Sequence, residues 1–228
     1  EDLLDLVNIH QVYSRHLSDN FEIKTVQMLE WLKVMCHPDG EIAFFNDSAH
    51  GVAPTSGELL SYAKRLNIVC KDNRLSNLTH LKESGYIRLD IKDLVLISDI
   101  AKIGPDYIPG HGHADTLSFE MSLFGKRVVV NSGISTYEVN NERHKQRGTL
   151  SHSTITVDDK NSSEVWDGFR VARRAKVFNI KNITRKDSIK FSACHDGYKR
   201  LKGKVMHCRE WDVTDGLIEI IDKVTGKG

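Results

Sequence analysis

Apolar residues in the first part of the chain recur every three or four positions, the spacing of an amphipathic helix. One such stripe covers residues 3–17, and a second covers residues 23–35. Thr55 and Glu58 then form a capping-box signature ahead of a third apolar run. The pattern predicts that residues 1–67 are mainly helical, with at least two helices packed together.

From about residue 68 the apolar period changes to two, the spacing of strands with one buried face. Short connections between these strands favour antiparallel pairing, and few helical stretches interrupt them. The sequence therefore predicts a mainly β fold with N-terminal helices, in which residues 68–228 form an antiparallel β-sandwich or double sheet. The predicted strands are residues 86–89, 94–97, 117–124, 127–130, 153–157, 175–180, 189–194, 205–213 and 217–223.

Charge and cysteine content narrow the functional classes. The 228 residues include 32 Lys and Arg against 31 Asp and Glu, which gives a net charge of +1. This balance disfavours a nucleic-acid partner, and the chain lacks the ~20-residue apolar run of a membrane span. Because no two cysteines have C-x-x-C spacing, we expect free buried thiols at all four positions, Cys36, Cys70, Cys194 and Cys208.

Candidate chemistry is concentrated at His111 and His113, which alternate with glycines just before a predicted strand. An extended backbone would turn both imidazoles to one face, and Gly110 and Gly112 would let a ligand approach the main chain. Two histidines in an ordinary polar turn are the simplest alternative. These glycines do not form a phosphate-binding loop, because neither dinucleotide nor P-loop spacing is present.

The residues around this pair resemble the heparinase II/III-like polysaccharide lyases. The resemblance extends in order and spacing from about residue 39 to the end of the chain. Five runs carry it: residues 109–120 (PGHGHADTLSFE), 130–133 (VNSG), 147–154 (RGTLSHST), 164–169 (EVWDGF) and 195–198 (HDGY).

The resemblance implies an enzyme with an incomplete (α/α) toroid, antiparallel β-sheets and an active cleft between them. Residues 1–67 would be the last toroid helices, and residues 68–228 the β-sheet domain. The implied reaction is β-elimination within a uronic-acid-containing polysaccharide, with His111 as the catalytic histidine. In the family, the acid/base Tyr and an Asn or His that neutralises the substrate carboxylate come from the toroid, upstream of this chain.

The resemblance also implies a structural zinc ion held by His113, Asn131 and His152, whose side chains we expect to converge. Asn131 stands where the family pattern has an aspartate. An amide oxygen is a weaker, uncharged zinc ligand, so zinc would bind with reduced affinity or the three residues would form a hydrogen-bonded cluster only.

An anionic polysaccharide needs cations and aromatic surfaces, and three residues are candidates for binding it. Arg147 would contact substrate or fix the histidine-containing loop, and Tyr107 and Tyr137 would line the cleft. A homodimer is compatible with this assignment. The compartment stays open between a bacterial periplasm and the cytoplasm, and the polysaccharide itself is not specified by these residues.

Two other classes compete with a lyase. A cupin-like barrel also presents H-x-H from a strand, but its pattern needs a Glu about four residues after the second His, whereas Glu120 lies seven residues after His113. A non-catalytic carbohydrate-binding or structural β-sandwich is the stronger alternative, because the toroid's catalytic residues lie outside this chain. Production of unsaturated uronate ends separates an enzyme from such a module.

Overall fold

The helical part consists of three α-helices packed on a shared apolar cluster. The computed structural model describes residues 1–70, 76–185, 188–214 and 216–227. Helices α1 (Asp2–Val12), α2 (Asp19–Val34) and α3 (Ser56–Arg65) follow one another. The predicted capping box is confirmed: Thr55 caps α3, and its hydroxyl accepts the amide of Glu58. The buried cluster between the helices comprises Leu4, Val7, Leu29, Ala63, Leu66 and Ile68.

The described part of the second region is built from antiparallel sheets, which confirms the predicted mainly β fold. A five-stranded sheet has the order β1-β2-β3-β4-β5, a four-stranded sheet has the order β11-β10-β9-β8, and β6 pairs with β7. The strands are β1 (Leu78–Leu81), β2 (Tyr86–Ile91), β3 (Leu94–Asp99), β4 (Phe119–Leu123), β5 (Lys126–Val129), β6 (Val165–Trp166), β7 (Arg170–Val171), β8 (Val177–Thr184), β9 (Ser188–His195), β10 (Met206–Thr214) and β11 (Leu217–Thr225).

The two larger sheets share one hydrophobic core. Leu96 and Ile87 of the first sheet belong to the same buried cluster as Phe191 and Trp211 of the second. The Phe191 and Trp211 rings stack with centroids 4.4 Å apart. Burial alternates strictly along β10, because successive strand residues point to opposite faces. The predicted sandwich therefore follows from the period-two pattern.

The turn after α2 joins the helical part to the first sheet through Glu120 of β4. Glu120 is fully buried, and its carboxylate contacts His37 Nε2 at 3.0 Å and accepts the main-chain amides of Phe44 and Asn131. His37 Nδ1 also lies 2.7 Å from the Ser122 hydroxyl. These contacts hold the segment around residues 44–48 against the end of the sheet, where the candidate site lies.

Two predicted elements differ from the structure for local reasons. Residues 153–157 are not a strand, because the Ser153 and Thr154 hydroxyls donate to carbonyls of the neighbouring segment at Phe119 and Thr116. Residues 141–147, which look like a polar loop, form the short helix α4 (Asn141–Arg147), capped by the Asn140 side chain. Short polar helices carry little apolar periodicity, so the pattern does not reveal them.

The expectation of four free thiols is wrong. Cys194 and Cys208 form a disulfide bond, and only Cys36 and Cys70 are free. The pairing of β9 with β10 places the two bonded cysteines directly opposite each other. Sequence spacing cannot reveal this, because the contact depends on strand register.

The boundary between residues 67 and 68 falls between helix α3 and strand β1, and it stays a prediction. Among the described residues, no helix has both the length and the apolar character needed to cross a membrane.

Candidate functional site

His111 and His113 lie in the loop before β4, and both imidazoles contact the carboxylate of Asp47. His111 Nδ1 lies 2.7 Å from Asp47 Oδ2, and His113 Nε2 lies 2.9 Å from Asp47 Oδ1. The loop is not extended here, so the histidines converge on a carboxylate instead of lying side by side on a strand face. The two rings differ in exposure: the His111 side chain is 65% exposed, and that of His113 is fully buried.

Asp47 is a functional candidate that the sequence patterns do not indicate. Arg143 of α4 also binds it through both terminal guanidinium nitrogens, with Nη2 at 2.8 Å from Oδ2. Burial alone would raise the pKa of Asp47, but hydrogen bonds from His113, Arg143 and His111 outweigh burial and hold the pKa below its usual range. Asp47 is therefore an anion at neutral pH that orients both imidazoles.

An exposed aromatic pair lies beside His111. The rings of Tyr137 and Phe169 stack with centroids 5.6 Å apart. Both rings form T-shaped contacts with the His111 ring, at centroid distances of 5.5–6.1 Å. The Arg143 guanidinium lies 5.3 Å from the Tyr137 ring and 5.1 Å from the Phe169 ring. Half-exposed stacked rings beside a polar group are well suited to pack against the apolar face of a sugar.

His111 lies on the walls of two adjacent cavities. One, of about 770 Å³, is lined on the helical side by Trp31 and Leu59 and on the sheet side by Tyr86, His111 and Tyr137. The other, of about 600 Å³, is lined by Tyr107, His111 and Phe169. The site thus has room on both sides of the exposed imidazole for a chain molecule. Tyr107 and Tyr137, both predicted to line the cleft, each line one of these cavities.

Arg147 is placed differently from a cation that meets substrate directly. Its side chain is buried, and its guanidinium donates to the main-chain carbonyls of Gly112, Asp167 and Gly168. Burial lowers the pKa of Arg147 to about 10, so the group stays charged at neutral pH. Of its two expected roles, this geometry supports fixing the histidine-containing loop, which it joins to the loop that carries Phe169.

Behind His113 lies a second, fully enclosed polar cluster. His113 Nδ1 is 3.2 Å from His152 Nε2, and His152 Nδ1 is 2.8 Å from the Gly148 carbonyl. A carbonyl only accepts, so His152 Nδ1 carries the hydrogen and Nε2 carries a lone pair. If His113 donates from Nε2 to Asp47, its Nδ1 lone pair faces that of His152. In the other neutral tautomer of His113, the hydrogen is on Nδ1 and the Nε2 lone pair faces the Asp47 carboxylate. Each neutral tautomer of His113 therefore leaves two acceptors in contact.

Asp115, and not the expected Asn131, belongs with His113 and His152 to a group of possible metal ligands. Ligand atoms of His113, Asp115 and His152 all lie within 4.8 Å of one another, and the three residues are buried. Asp115 Oδ2 has no hydrogen-bond partner among the described residues. A buried carboxylate oxygen without a donor, beside two imidazole nitrogens, fits a divalent cation.

Asn131, the expected zinc ligand, makes other contacts. Its side-chain oxygen lies 3.4 Å from the Ser153 amide, next to His152 in the chain, and its main-chain amide donates to Glu120. Its Nδ2 is buried without a partner in the described part of the chain.

Burial also sets the protonation of the enclosed cluster. It lowers the pKa of both His113 and His152, despite the opposing effects of Asp47 and Asp115. Burial and the neighbouring Asp115 raise the pKa of Asp99 well above its usual value. Burial raises the pKa of Asp115 as well, so burial disfavours the charged form of both neighbouring carboxyl groups.

Comparison with solved structures identifies the fold. The heparan sulfate lyase HepC from Pedobacter heparinus matches with a TM-score of 0.72 and 16% identity, over 99% of this chain and 36% of that one. A heparinase III structure matches with a TM-score of 0.70 and 16% identity, over 99% of this chain and 38% of that one. The heparinase III described as the BT4657 gene product matches with a TM-score of 0.68 and 19% identity, over 93% of this chain and 34% of that one. At these identities the likeness shows the fold alone, and this chain spans little more than a third of the length of each structure.

Comparison with curated protein sequences gave no match. The model of the family described as "Heparinase II/III-like, C-terminal", however, matches residues 73–228, which is more than half of the chain. The double sheet, the loop carrying His111 and His113 and the enclosed cluster behind it all fall within the matched residues, and the protein belongs to the heparinase II/III-like C-terminal domain family.

Proposed function

We propose that this chain supplies the β-sheet side of the active cleft of a polysaccharide lyase, which cleaves a uronic-acid-containing polysaccharide by β-elimination. The observation that carries the proposal is the exposed His111 imidazole, held through Nδ1 by Asp47 between two cavities. Family membership and the fold shared with heparinase III and HepC support the reaction class.

The chemistry follows from the acidity of the substrate. In β-elimination a base removes the proton from the carbon next to the carboxylate, a double bond forms to the neighbouring carbon, and the bond from that carbon to the bridging oxygen breaks. The departing oxygen takes a proton from an acid. The carbon-bound proton becomes acidic only when the carboxylate charge is neutralised by a donor or cation.

His111 is suited to act on that carboxylate or on the transferred proton. Because Asp47 accepts the Nδ1 hydrogen, Nε2 is the ring nitrogen left for a ligand. An imidazole nitrogen can donate or accept a hydrogen bond, so it can serve either role. Arg143 binds the same carboxylate through both terminal nitrogens, so the Asp47–Arg143 pair keeps the imidazole in one orientation. The acid/base Tyr and its Asn or His partner would come from the toroid.

The test is His111→Ala in the full-length protein, assayed on heparan, alginate and capsular polysaccharides by the ultraviolet absorbance of new unsaturated ends. We expect a loss of about 10²–10⁴ in rate. His144→Ala is the matched control, because His144 is an exposed histidine of α4 outside both cavities. Equal rates for His111→Ala and wild type would overturn the catalytic assignment.

A structural zinc ion at the enclosed cluster is the second part of the proposal, with His113 Nδ1, Asp115 and His152 Nε2 as its ligands. Two ligands about 2.0–2.1 Å from a tetrahedral zinc lie roughly 3.3–3.4 Å apart, close to the 3.2 Å between these nitrogens. The other ring nitrogens contact Asp47 and the Gly148 carbonyl, as outer contacts of zinc-bound histidines commonly do. Bound zinc would remove the conflict between the two lone pairs and order the loop behind His111.

A non-catalytic carbohydrate-binding module is the alternative, and the exposed Tyr137–Phe169 stack favours it. Such a module would bind polysaccharide without producing unsaturated ends. Full-length wild type that binds heparan, alginate or capsular chains but cleaves none of them would establish this alternative in place of the lyase.

A further inference from the structure

A third cavity, of about 860 Å³, adjoins the 770 Å³ cavity lined by His111, which we call the His111 cavity. Asn46 and Tyr86 line both, and the Asn46 side-chain amide donates to the Tyr86 hydroxyl at 3.1 Å. The Asn46–Tyr86 hydrogen bond is therefore part of the wall between the two cavities. A ligand long enough to fill one cavity has the other as its immediate neighbour.

The two cavities differ in charge. Among the described residues that line the His111 cavity, the charged ones are Glu41 and Asp47, and none is Lys or Arg. The adjoining cavity is lined by Lys82, Lys102 and Lys176, all with exposed side chains. We call it the lysine cavity. Arg170 lines the 600 Å³ cavity on the other side of the site, so the lysine cavity is a second, separate group of cations near His111.

The acidic residues of the lysine cavity neutralise only part of this charge. Asp106 pairs with Lys102 and also accepts Arg174 Nη2 at 2.7 Å, so its charge is already balanced. Glu83 is the other acidic residue lining the cavity. Within the described part of the chain, neither Lys82 nor Lys176 forms an ion pair, so both ammonium groups are available to an anionic ligand.

The lysine cavity is joined to the His111 loop by a short, anchored segment. Arg174 donates to the main-chain carbonyls of Ile103 and Pro105 as well as to Asp106. The lysine cavity is lined by Lys102, Gly104, Pro105 and Asp106, and the chain continues directly into Tyr107 and the loop that carries His111. Ligand bound in the two cavities would therefore contact opposite ends of one segment.

We propose that the lysine cavity binds an anionic unit of the polysaccharide next to the unit processed at His111. This inference rests on the proposed function. A uronate-containing chain carries charge on units beyond the reacting one, and Lys82 and Lys176 meet such a charge as solvated cations. Interactions of this kind are individually weak and screened by salt, so we expect roughly a two- to fivefold contribution to affinity from each lysine.

The test compares two double variants in the full-length protein carrying His111→Ala, so that binding is measured without turnover. Lys82→Gln with Lys176→Gln removes the two free cations. Lys126→Gln with Lys223→Gln is the matched control, because these exposed lysines line neither cavity. The probes are hexasaccharides of alginate and of heparan sulfate, and a carboxyl-reduced alginate hexasaccharide without charge, with dissociation constants measured by calorimetry at two salt concentrations.

We expect the Lys82/Lys176 variant to bind a charged hexasaccharide about tenfold more weakly at low salt, with a smaller loss at high salt and no change for the uncharged probe. The control variant should bind as the parent does. Equal binding by both variants, or equal loss in both, overturns the inference. A parent protein that binds neither charged hexasaccharide also overturns it.

The two proposals fail in different measurements. A lysine-dependent affinity together with a His111→Ala variant that cleaves at the wild-type rate would leave the lysine cavity as a polysaccharide-binding site and remove His111 from catalysis. Inorganic sulfate added as a competitor distinguishes a site for small anions, which sulfate would fill at millimolar concentration, from a site that needs the sugar.

Discussion

Two buried histidine pairs in this domain have nearly the same residues around them, but they differ in whether their hydrogen bonds can all be satisfied. His113 and His152 lie with ring nitrogens 3.2 Å apart, backed by Asp47 and Arg143. His195 and His207 lie with ring nitrogens 3.1 Å apart, backed by Asp222 and Arg209. Both pairs are close to edge-to-face, with ring planes 74° and 89° apart.

Hydrogen atoms can be assigned to the His195–His207 pair without conflict. The Gly197 amide donates to His195 Nδ1, so His195 Nε2 carries the hydrogen and donates to His207 Nδ1. His207 Nε2 then donates to Asp222 Oδ1 at 2.6 Å. Every ring nitrogen has a partner of the right kind, and the chain of hydrogen bonds runs across β9, β10 and β11.

The His113–His152 pair has no such solution with neutral rings, because each tautomer of His113 leaves two acceptors face to face. Beside this pair, Asp115 Oδ2 has no hydrogen-bond partner in the part of the chain that the structure describes. Residue types and the distance between ring nitrogens therefore do not by themselves identify a metal site. The pattern of hydrogen-bond donors and acceptors identifies it. In a satisfied network every acceptor already has a donor, whereas acceptors without donors can bind a cation.

The first prediction breaks the satisfied pair and has the largest expected effect. Asp222→Ala removes the acceptor of His207 and of Arg209, which is buried and also donates to the Leu117 carbonyl. Leaving a buried cation unpaired costs about 3–5 kcal/mol, and we expect about 3 kcal/mol because the Asp222 side chain is 26% exposed. The free energy of unfolding is measured in urea.

Asp212→Ala is the matched control for that prediction. Asp212 lies on β10, has the same exposed fraction of 26%, and pairs with the half-exposed Lys190. A surface ion pair contributes at most about 1 kcal/mol. Comparable losses for the two aspartate variants would contradict the role given to the His195–His207 pair.

The second prediction concerns pH. Burial lowers the pKa of His195 to about 3, below the ~6.5 of an unfolded chain. Between these values the unfolded chain binds the proton and the folded one does not, so stability is present above pH 6.5 and is lost as the pH falls toward 3. The slope reaches roughly 1.4 kcal/mol per pH unit, or about 3 kcal/mol between pH 6.5 and 4.

In His195→Gln this part of the slope should disappear, whereas His144→Gln, at an exposed histidine, should keep it. Unfolding free energies at pH 7, 6, 5 and 4 measure it. An unchanged slope in His195→Gln would show that His195 is not held neutral by burial.

The third prediction sharpens the metal side of the comparison. Protein purified without chelator should contain about one zinc per chain, and zinc at a hundred times its dissociation constant should stabilise the fold by about 2.7 kcal/mol. Asp115→Asn should weaken zinc binding by at least about 10–100-fold, the range for removing even an outer partner. Competition with a chromogenic chelator measures the affinity.

Asn131→Ala separates the two ligand sets. If Asp115 is the third ligand, Asn131→Ala keeps its zinc, and if Asn131 is the ligand, that variant loses zinc while Asp115→Asn keeps it. Zinc absent from wild type would leave the cluster without a metal. Zinc bound equally by both variants would contradict each ligand set.

The architecture could be predicted from the sequence because it depends on repeated local signals. The Thr55–Glu58 capping box and the alternation along residues 205–213 each specify an element within a few residues. Strand β1 is too short, at four residues, to show an alternating pattern, and helix α4 has no apolar residue among its seven. His111 and His113 could be predicted as site residues from the motif at residues 109–120, whereas apolar periodicity gives no information about them.

The rest of the site depends on contacts between distant segments. Asp47 lies 64 positions before His111 and 96 before Arg143, and nothing in its local sequence distinguishes it from another loop aspartate. Asp115 belongs to the motif at residues 109–120, but it lies next to His152 only in the folded chain. Arg147 looks like a solvated loop cation in the sequence, and it is buried because three main-chain carbonyls converge on it.

The Cys194–Cys208 bond has a consequence for the unfolded chain as well as for the folded one. It closes a loop of 14 residues, which removes conformational entropy worth about 3 kcal/mol from the unfolded state. It also fixes the one register of β9 against β10 in which Phe191 and Trp211 lie opposite each other in the core. A slip by one position, which would turn every side chain of a strand to the wrong face, is covalently forbidden while this bond is intact.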